Sequence, residues 1–290
     1  MATHARLLAA LLAGATVVAA GCGETTDQGS AAEAELADAE VVATTLEVVA
    51  TDHHFTMSAT TVAEGMVPVE LVNDGESPHH LLVVRLDDGQ TMDDYLAAFD
   101  GGEGAANELV THAGGVNAVE PGSSAVGYAD LAPGTYLVLC FIPGAEGEAH
   151  LTDGMVAELE VVPADPVPSP TTTVGEISLV DFGFGLPESG LSAAGTYRLT
   201  NEGESDHELS IMRVDDGKAL GDVVTYLQAG FQGEPPVAFT GGAGGIEPGE
   251  DGYIDLDLAP GTYLVMCFLG DEATGKRHVE LGMLSQLTVP

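Results

Sequence analysis

Short runs of alternating apolar and polar residues recur along most of this chain, bounded by Gly, Pro, Asn or Asp. A period of two residues is typical of β-strands that bury one face. Thr91 instead precedes apolar residues at helical spacing, which predicts a short capped helix at 91–99. Residues 100–117 are rich in Gly and are expected to form a loop. In the first half, strands are predicted at 46–55, 67–73, 80–86, the run ending at Cys140, and 155–162.

The same pattern occurs twice. The segment APGTYLVLCF at 132–141 returns as APGTYLVMCF at 259–268, and the offset between equivalent residues is 127 or 128 positions, as from Cys140 to Cys267 or from His79 to His207. A length of 290 residues suits two domains. Sparse aromatic residues and abundant Gly favour short strands joined by turns. We therefore predict an all-β protein of two tandem β-sandwich domains, each with a short inserted helix. The first repeat is 45–162, the second repeat is 174–290, and a Pro/Thr-rich linker spans 163–173.

The N-terminus carries a targeting pattern. An apolar run from Leu7 to Ala20 follows Arg6 and leads to Cys22. The run is too short and too rich in alanine for a good membrane-spanning helix. Residues 1–22 resemble a bacterial lipoprotein signal, in which Cys22 becomes the lipidated first residue of the mature chain. An ordinary secretory signal is the alternative, and both place the mature protein outside the cytoplasm. Residues 23–44 are acidic without strand periodicity, so a flexible tether to the membrane is expected.

The charge is strongly acidic, with 46 acidic residues against 7 basic ones and a formal net charge of −39. Phosphate contacts require Lys and Arg, so the charge argues against nucleic acid and an anionic lipid surface as partners. Two interpretations of the acidity stay open. The acidic residues form a solvated surface suited to high salt, or they steer a basic protein partner or cations toward the protein.

Alignment of the repeats isolates four residues with metal-binding side chains that occur in both copies. Two imidazoles, one thiolate and a weak axial thioether suit a copper ion that cycles between its two oxidation states. The sequence therefore predicts one copper site per domain and two per chain. A disulfide between the cysteines is a less simple alternative. The predicted ligands are His79, Cys140, His150 and Met155 in the first repeat and His207, Cys267, His278 and Met283 in the second.

Other histidines lack a histidine counterpart in the second repeat. His53, His54 and His80 are expected to be strand or surface residues, and the counterpart of His80 is Glu208. His112 faces Phe239 in the alignment, so it is not required by both copies.

The order of these residues resembles a known family. Asn-x-Gly-x-x-Pro-His at 73–79, followed by Pro-Gly-Thr-Tyr, Cys, His and Gly-Met, resembles the cupredoxins, the blue type 1 copper proteins such as plastocyanin. The resemblance implies a Greek-key β-sandwich with copper at one end. It implies that His79 comes from a loop and that Cys140, His150 and Met155 come from the last strand, loop and strand. It also implies that His150 and His278 form the exposed edge through which electrons pass.

The chain departs from the family in two places. Nine residues separate Cys140 from His150 and ten separate Cys267 from His278, whereas small cupredoxins have two to four. This spacing is nearer to the loop of copper nitrite reductases, and a longer loop is expected to loosen the site, expose the copper or change the axial distance. Asp206 also stands where the first repeat has Pro78, which is expected to alter how His207 is held.

Three functions fit these residues. The favoured one is one-electron transfer with a redox partner protein outside the cytoplasm. Copper acquisition, buffering or delivery by a tethered binding module uses the same donor atoms. A two-domain copper oxidase or nitrite reductase is disfavoured, because Leu139 and Met266 precede the cysteines and the sequence has no His-x-His pair for a second type of copper centre. A related fold that has lost its metal is the remaining alternative.

Overall fold

The computed structural model describes residues 42–144, 147–188, 190–192, 194–229, 235–271 and 273–290. The predicted lipoprotein signal, Cys22 and most of the predicted tether lie outside the described residues. Ala43 forms a parallel bridge with Val62, so the last residues assigned to the tether belong to the folded part of the chain. Among the described residues, no helix has both the length and the apolar character needed to cross a membrane.

The first repeat contains eight strands and two short helices. The strands are β1 (Leu46–Thr51), β2 (His54–Met57), β3 (Thr61–Asn73), β4 (His79–Leu86), β5 (Val110–Val119), β6 (Ser124–Leu131), β7 (Gly134–Leu139) and β8 (Val156–Val167). Between β4 and β5 lie α1 (Met92–Phe99) and α2 (Glu103–Asn107). A single turn of 3₁₀ helix covers His150–Asp153.

The second repeat follows nearly the same order. Its strands are β9 (Gly175–Val180), β10 (Gly183–Gly185), β11 (Gly195–Asn201), β12 (His207–Val214), β13 (Val237–Ile246), β14 (Asp251–Leu256), β15 (Gly261–Met266), β16 (Gly270–Asp271), β17 (Lys276–Arg277) and β18 (Leu284–Val289). The helix α3 covers Leu220–Gln228, and a 3₁₀ turn covers His278–Leu281. The predicted all-β fold with a short helix in each repeat is confirmed.

Strand pairing joins the main strands into one sheet, which closes on itself in the first repeat because β5 also pairs with β6 and β7 with β8. In the first repeat β3 pairs with β6 and β8, and β4 pairs with β5 and β7. In the second repeat β11 pairs with β9 and β14, whereas β12 pairs with β13 and β15. The strands β4 and β12, which begin at His79 and His207, are therefore central strands of their sheets.

The hydrophobic core explains the sequence pattern. Along β1 the alternate residues Leu46, Val48 and Ala50 are buried, as expected of a strand with one solvated face. The strands β4 and β7 are instead apolar on both faces, because α1 and α2 cover the side that would otherwise meet solvent. Thr91 caps α1 with a reciprocal hydrogen-bond pair to Asp94, as the sequence predicted. The second repeat has its own core and a similar cluster beneath α3.

Three local expectations were wrong. The segment predicted as one strand at 46–55 is two antiparallel strands, β1 and β2, that turn at Asp52. The Gly-rich segment 100–117 contains α2 and most of β5, and its glycines allow close contact with neighbouring backbone: a Cβ on Gly115 would lie 2.2 Å from the Leu81 carbonyl oxygen. The strand β8 continues to Val167, so the predicted linker begins inside a strand.

The repeats join through two strand pairs, β5 with β13 and β6 with β14. In each pair the register places a residue opposite its own counterpart: Val116 faces Ala243, and Gly127 faces Ile254. Equivalent residues face each other in this way when two copies are related by a twofold axis. The contact between the repeats therefore has an approximate twofold symmetry, with Tyr128 and Tyr253 in edge-to-face contact along it.

Candidate metal centres

The structure brings together three of the four predicted ligands of the first repeat. His79 is the first residue of β4, Cys140 directly follows β7, and His150 begins the 3₁₀ turn before β8. The three side chains therefore come from three neighbouring pieces of backbone, since β7 pairs with both β4 and β8. We call His79, Cys140, His150 and the adjacent Met155 the first centre.

The donor atoms of the first centre face each other. The Nδ1 atoms of His79 and His150 are 3.1 Å apart, and the Cys140 Sγ lies 3.9 Å from the former and 3.6 Å from the latter. All three residues are buried. Because the cysteine is a free thiol, its sulfur is available as a ligand.

The second repeat holds the same arrangement. The Nδ1 atoms of His207 and His278 are 3.1 Å apart, and the Cys267 Sγ lies 3.3 Å from the His278 Nδ1. In each repeat the three donor atoms all lie within 4.8 Å of one another. We call His207, Cys267, His278 and Met283 the second centre. Cys140 and Cys267 each belong to a different centre and are free, so they do not form the alternative disulfide.

The two methionines are held next to these groups by backbone hydrogen bonds. The Met155 N–H donates to the His150 carbonyl oxygen, and the Cys140 N–H donates to the Met155 carbonyl oxygen. Met283 makes the same two bonds with His278 and Cys267. Both methionine side chains are fully buried, each in the same core cluster as the cysteine of its centre.

The long segment between cysteine and histidine does not leave the first centre open. The His150 N–H donates to the Ile142 carbonyl oxygen and the Leu151 N–H donates to the Cys140 carbonyl oxygen, so the two ends of the segment are fastened together. In the second repeat the segment forms a hairpin of β16 and β17. Hydrogen bonds therefore join the described ends of the segment in both repeats, and the ligand histidines are buried, so the expectation of an exposed centre was wrong.

In each centre one aspartate orients the N-terminal histidine, and neither aspartate was predicted from the sequence. The Asp52 Oδ1 lies 3.3 Å from the His79 Nε2, and the Asp181 Oδ1 lies 3.0 Å from the His207 Nε2. A carboxylate in this position accepts a hydrogen bond from the Nε2–H group, so the Nδ1 lone pair is free for a metal. Both aspartates directly follow the first strand of their repeat, so the alignment of the copies contained the signal.

The Asn-x-Gly motif before each of these histidines has a structural role. The Asn73 side chain donates to the carbonyl oxygens of Ser77 and Val119 and accepts from the Gly75 N–H, which fixes the turn before His79. A Cβ on Gly75 would lie 2.6 Å from the His79 Nε2, so only glycine allows the backbone this close to the ring. Asn201 and Gly203 repeat the same contacts beside His207.

Burial dominates the electrostatics of the first centre. It lowers the pKa of His79, where repulsion from His150 adds to the effect, and it also lowers the pKa of His150. Burial raises the pKa of the Cys140 thiol to about 12. The imidazoles are therefore neutral and ready to bind a cation, whereas the thiol keeps its proton until a cation replaces it.

The second centre shows the same directions. Burial lowers the pKa of His207 and of His278, and burial raises the pKa of the Cys267 thiol. Hydrogen bonds from Glu204 and His207 hold the pKa of Asp181 below its usual value, although its partial burial acts in the opposite direction. An ionised Asp181 beside a neutral His207 is the state that favours metal binding.

The residue after each N-terminal histidine controls the backbone that follows the cysteine. The His80 Nε2 accepts the Phe141 N–H at 2.6 Å, and the Glu208 Oε1 accepts the Phe268 N–H at 2.8 Å. The interpretation of His80 as only a strand or surface residue was therefore incomplete. Burial lowers the pKa of His80 to about 3, and burial raises the pKa of Glu208 to about 6. His80 and Glu208 thus accept the same backbone hydrogen bond in their repeats, one with an imidazole whose pKa is lowered and the other with a carboxyl whose pKa is raised.

The expected exposed edge is absent from the described residues of both centres. His150 is 4% exposed and His278 is 0% exposed, so neither ring lies at the surface. The exposed Phe182 packs edge-to-face on His278, with ring centroids 5.6 Å apart. The prediction that His150 and His278 form an exposed edge was wrong, because tertiary packing covers both rings. His53 and His54 are exposed, as expected.

The donor atoms fit a single metal ion in each centre. Bonds of about 2.0 Å to imidazole nitrogen and about 2.3 Å to thiolate sulfur, as in zinc sites, place trigonal ligand atoms roughly 3.5 to 3.8 Å apart. The separations of 3.1, 3.6 and 3.9 Å in the first centre lie close to that range. The His278 Nε2 is buried without a hydrogen-bond partner among the described residues.

Comparison with known proteins finds no matching family model and no matching curated protein. Among solved structures, an auracyanin from Roseiflexus castenholzii is 22% identical over 42% of this chain and 99% of its own, with a TM-score of 0.31. A multicopper oxidase is 15% identical over 85% of this chain and 88% of its own, with a TM-score of 0.25. A copper-containing nitrite reductase from Thermus scotoductus is 15% identical over 85% of this chain and 61% of its own, with a TM-score of 0.23. These TM-scores are too low to assign a family or an activity. The fold and the donor atoms define an all-β protein with two repeats, each holding a buried group of two imidazoles and one thiol.

Proposed function

We propose that each repeat binds one copper ion in a type 1 site and that the protein carries single electrons. The observation that supports this most directly is the convergence of two Nδ1 atoms and one Sγ in both repeats. A trigonal His, His and Cys group with a weak axial Met is the donor set of blue copper electron-transfer sites. His79, Cys140, His150 and Met155 would hold one copper, and His207, Cys267, His278 and Met283 would hold the other.

The chemistry of the donors suits one-electron cycling. Thiolate and thioether sulfur stabilise the cuprous ion, whereas the neutral imidazoles keep the cupric ion accessible. Each centre is fixed by the central strands of its sheet and by hydrogen bonds to the ligand backbone, so a bound copper would keep nearly the same ligand geometry in both oxidation states. When bound, copper would supply the redox chemistry, and the chain orients the ligands and keeps water away from them.

The surface and the N-terminus support a proposal for the protein's setting. We infer a lipid anchor at Cys22 and a location outside the cytoplasm, at the membrane, from the lipoprotein-like signal at 1–22. The net charge of −39 favours a basic redox partner. Replacing Cys22 by Ser should release the protein from the membrane fraction of cells, and retention there would contradict the anchor. Association with the partner should slow steeply as ionic strength rises.

Burial of the ligands favours copper handling as the second candidate. His150 and His278 are covered, which slows exchange of a bound ion with solvent and suits a protein that stores or delivers copper. An oxidase or reductase is not proposed, because the sequence offers no His-x-His pair for a further copper centre.

Copper stoichiometry measured together with the visible spectrum tests the proposal. The full-length chain should take up two copper ions and show the intense blue absorption of a cysteine-to-copper transition with a reversible redox couple. Cys140→Ser and Cys267→Ser should each remove one copper and the absorption of one centre. Cys22→Ser is the matched control, because it changes a cysteine outside both centres and should keep both signals.

The other outcomes separate the alternatives. A colourless protein that holds only cuprous ion would favour copper handling over electron transfer. A protein that takes up no copper, or whose copper is unaffected by either cysteine substitution, would overturn the assignment of the centres.

A further inference from the structure

The approximate twofold symmetry of the contact between the repeats predicts which side chains should cross it. Any side chain that reaches across from the first repeat should have a counterpart that reaches back from the second, if the sequences were equal at these positions. The backbone obeys this symmetry, since Val116 faces its own counterpart Ala243. The polar side chains along the same contact do not.

A series of contacts runs from a side chain of the first repeat to the second centre. The buried Asn117, on β5, donates from its Nδ2 to the Glu208 Oε2 at 3.1 Å. The other oxygen of Glu208 accepts the Phe268 N–H at 2.8 Å. The Glu208 N–H itself points at the Cys267 Sγ, 3.5 Å away. Asn117 therefore fixes the carboxylate that holds the backbone directly after Cys267, and the backbone N–H of the same glutamate contacts the sulfur.

A second contact crosses at the residue before the ligand. The His112 Nδ1 lies 2.7 Å from the Asp206 Oδ2, and the two side chains are 13% and 35% exposed. Asp206 and Glu208 flank His207 in the sequence. The first repeat thus holds the ligand segment of the second centre from both sides.

The mirror-image contacts are missing from the described residues. The counterpart of Asn117 is Gly244 and the counterpart of His112 is Phe239, neither of which carries a polar side chain. Their targets in the first repeat are equally changed, because Pro78 stands for Asp206 and His80 for Glu208. No such contact from the second repeat onto the residues beside His79 is found in the described part of the chain.

We propose that His112 and Asn117 of the first repeat are positioning residues of the second centre. The second centre therefore depends on the contact between the repeats, whereas the first centre does not. The proposal rests on the proposed function, since it assigns these residues a role in holding copper. Groups that hydrogen-bond a metal ligand typically contribute roughly 10- to 100-fold to metal affinity. His112 and Asn117 bond the neighbours of His207 and not its ring, so the lower end of that range is expected. The two centres of one chain should therefore differ in their dependence on the contact.

Two substitutions in the full-length chain test this. His112→Phe installs the residue that the second repeat has at that position, and Asn117→Ala removes the amide while keeping the Cβ. The double variant is combined with Cys140→Ser to leave only the second centre, and separately with Cys267→Ser to leave only the first. Copper affinity is then measured by competition with a chelator. The second centre should lose roughly 10-fold in affinity, and the first should stay within about twofold.

Tyr128→Ala is the control for a general loosening of the contact, since its ring packs on Tyr253 and touches neither centre in the described structure. It should leave the affinities of the two centres changed by equal factors. Equal losses at both centres in the double variant, or no loss at the second, would overturn the proposal.

A metal-free measurement keeps the proposal separate from the copper assignment. Alkylation of the two buried thiols by iodoacetamide is followed in the metal-free full-length protein by mass spectrometry of the peptides that contain them. The double variant should label Cys267 several-fold faster and Cys140 at the original rate. If the protein binds no copper, the proposed function fails, and this selective change still decides whether the two residues position the thiol. Equal labelling changes at both cysteines would contradict the positioning role.

Discussion

A single oxygen of Asp52, its Oδ1, lies 3.3 Å from the His79 Nε2 and also accepts the backbone N–H groups of Glu76 and Ser77. These hydrogen bonds hold the pKa of the Asp52 carboxyl below its usual value, although partial burial acts against them. The carboxylate therefore joins the end of β1 to the loop that presents His79. It also fixes which ring nitrogen faces the first centre.

Asp52→Asn should weaken copper binding at the first centre by roughly 10- to 100-fold. The amide does not select the proton-bearing nitrogen of His79 as the carboxylate does. Affinity is measured by chelator competition in a Cys267→Ser background, where only the first centre remains. Asp74→Asn changes an exposed aspartate on the same loop and should have no effect. An unchanged affinity in Asp52→Asn would show that the contact does not orient the ligand.

Met155→Leu should leave copper bound at the first centre and raise its reduction potential. Relative to an oxygen or nitrogen ligand the soft thioether favours the cuprous ion, but leucine supplies no donor at all, and loss of a donor destabilises the more electron-poor cupric ion most. A near-isosteric change in a buried position usually costs less than about 1.5 kcal/mol in folding free energy, so the fold should persist. Voltammetry of this variant and of Met283→Leu should show one shifted couple each. An unchanged potential would place the methionine outside the copper's coordination.

Two buried tyrosines should respond differently to loss of their hydroxyl. The Tyr136 hydroxyl donates to the Ala132 carbonyl oxygen and accepts the Ala132 N–H, both at 2.9 Å. The buried Tyr95 hydroxyl has no hydrogen-bond partner among the described residues. Tyr136→Phe should lower the free energy of unfolding by about 1 to 3 kcal/mol, and Tyr95→Phe should leave it equal or higher. Urea unfolding of the metal-free protein measures both, and equal losses would contradict this distinction.

His80→Gln should make the metal-free protein less sensitive to acid. Burial, with repulsion from His150 and His79, lowers the folded-state pKa of His80 to about 3 from 6.5. The stability that the neutral ring contributes is therefore complete above pH 6.5 and is lost as the pH falls toward 3, at about 1.4 kcal/mol per pH unit. Between pH 7 and 5 the wild type should lose up to about 2 kcal/mol relative to the variant. Parallel unfolding curves at both pH values would contradict the assignment.

Glu208→Gln should show the opposite pH dependence. Burial is the main cause that raises the folded-state pKa of Glu208 to about 6 from 4.5. The stability linked to its protonated form is present below pH 4.5 and is lost as the pH rises to 6, by on the order of 2 kcal/mol. Relative to Glu208→Gln, the wild type should become less stable across this interval. Urea unfolding at pH 4.5 and 6.5 measures the difference, and a difference of the other sign would contradict it.

The strands and the grouping of the ligands followed from local pattern and from duplication. Alternation along residues such as Leu46, Val48 and Ala50 reports a half-buried strand without knowledge of its partners. The pairing of His79 with His207 and of Cys140 with Cys267 separated the residues that both repeats need from those that they do not. The strand at 110–119 was missed because its glycines, which permit close backbone contact, have the composition of a loop.

The surroundings of the centres depend on residues far apart in the chain. Asp52 reaches His79 across 27 positions, and Asn117 reaches Glu208 across 91. No periodicity in either segment indicates these partners, since each contact depends on the register of strands that pair later in the chain. The burial of His150 and His278 has the same origin.

By itself, the sequence determined that the chain is built from strands, that its plan is duplicated, and which sulfur and imidazole groups both copies keep. These properties follow from the short-range spacing of residues and from repetition along the chain. Only the tertiary structure decided that the repeats meet about an approximate twofold axis and that His112 and Asn117 contact the residues flanking His207, with no return contact among the described residues. Side chains at a contact act on whatever the packed strands place opposite them, and that placement is fixed by the whole fold.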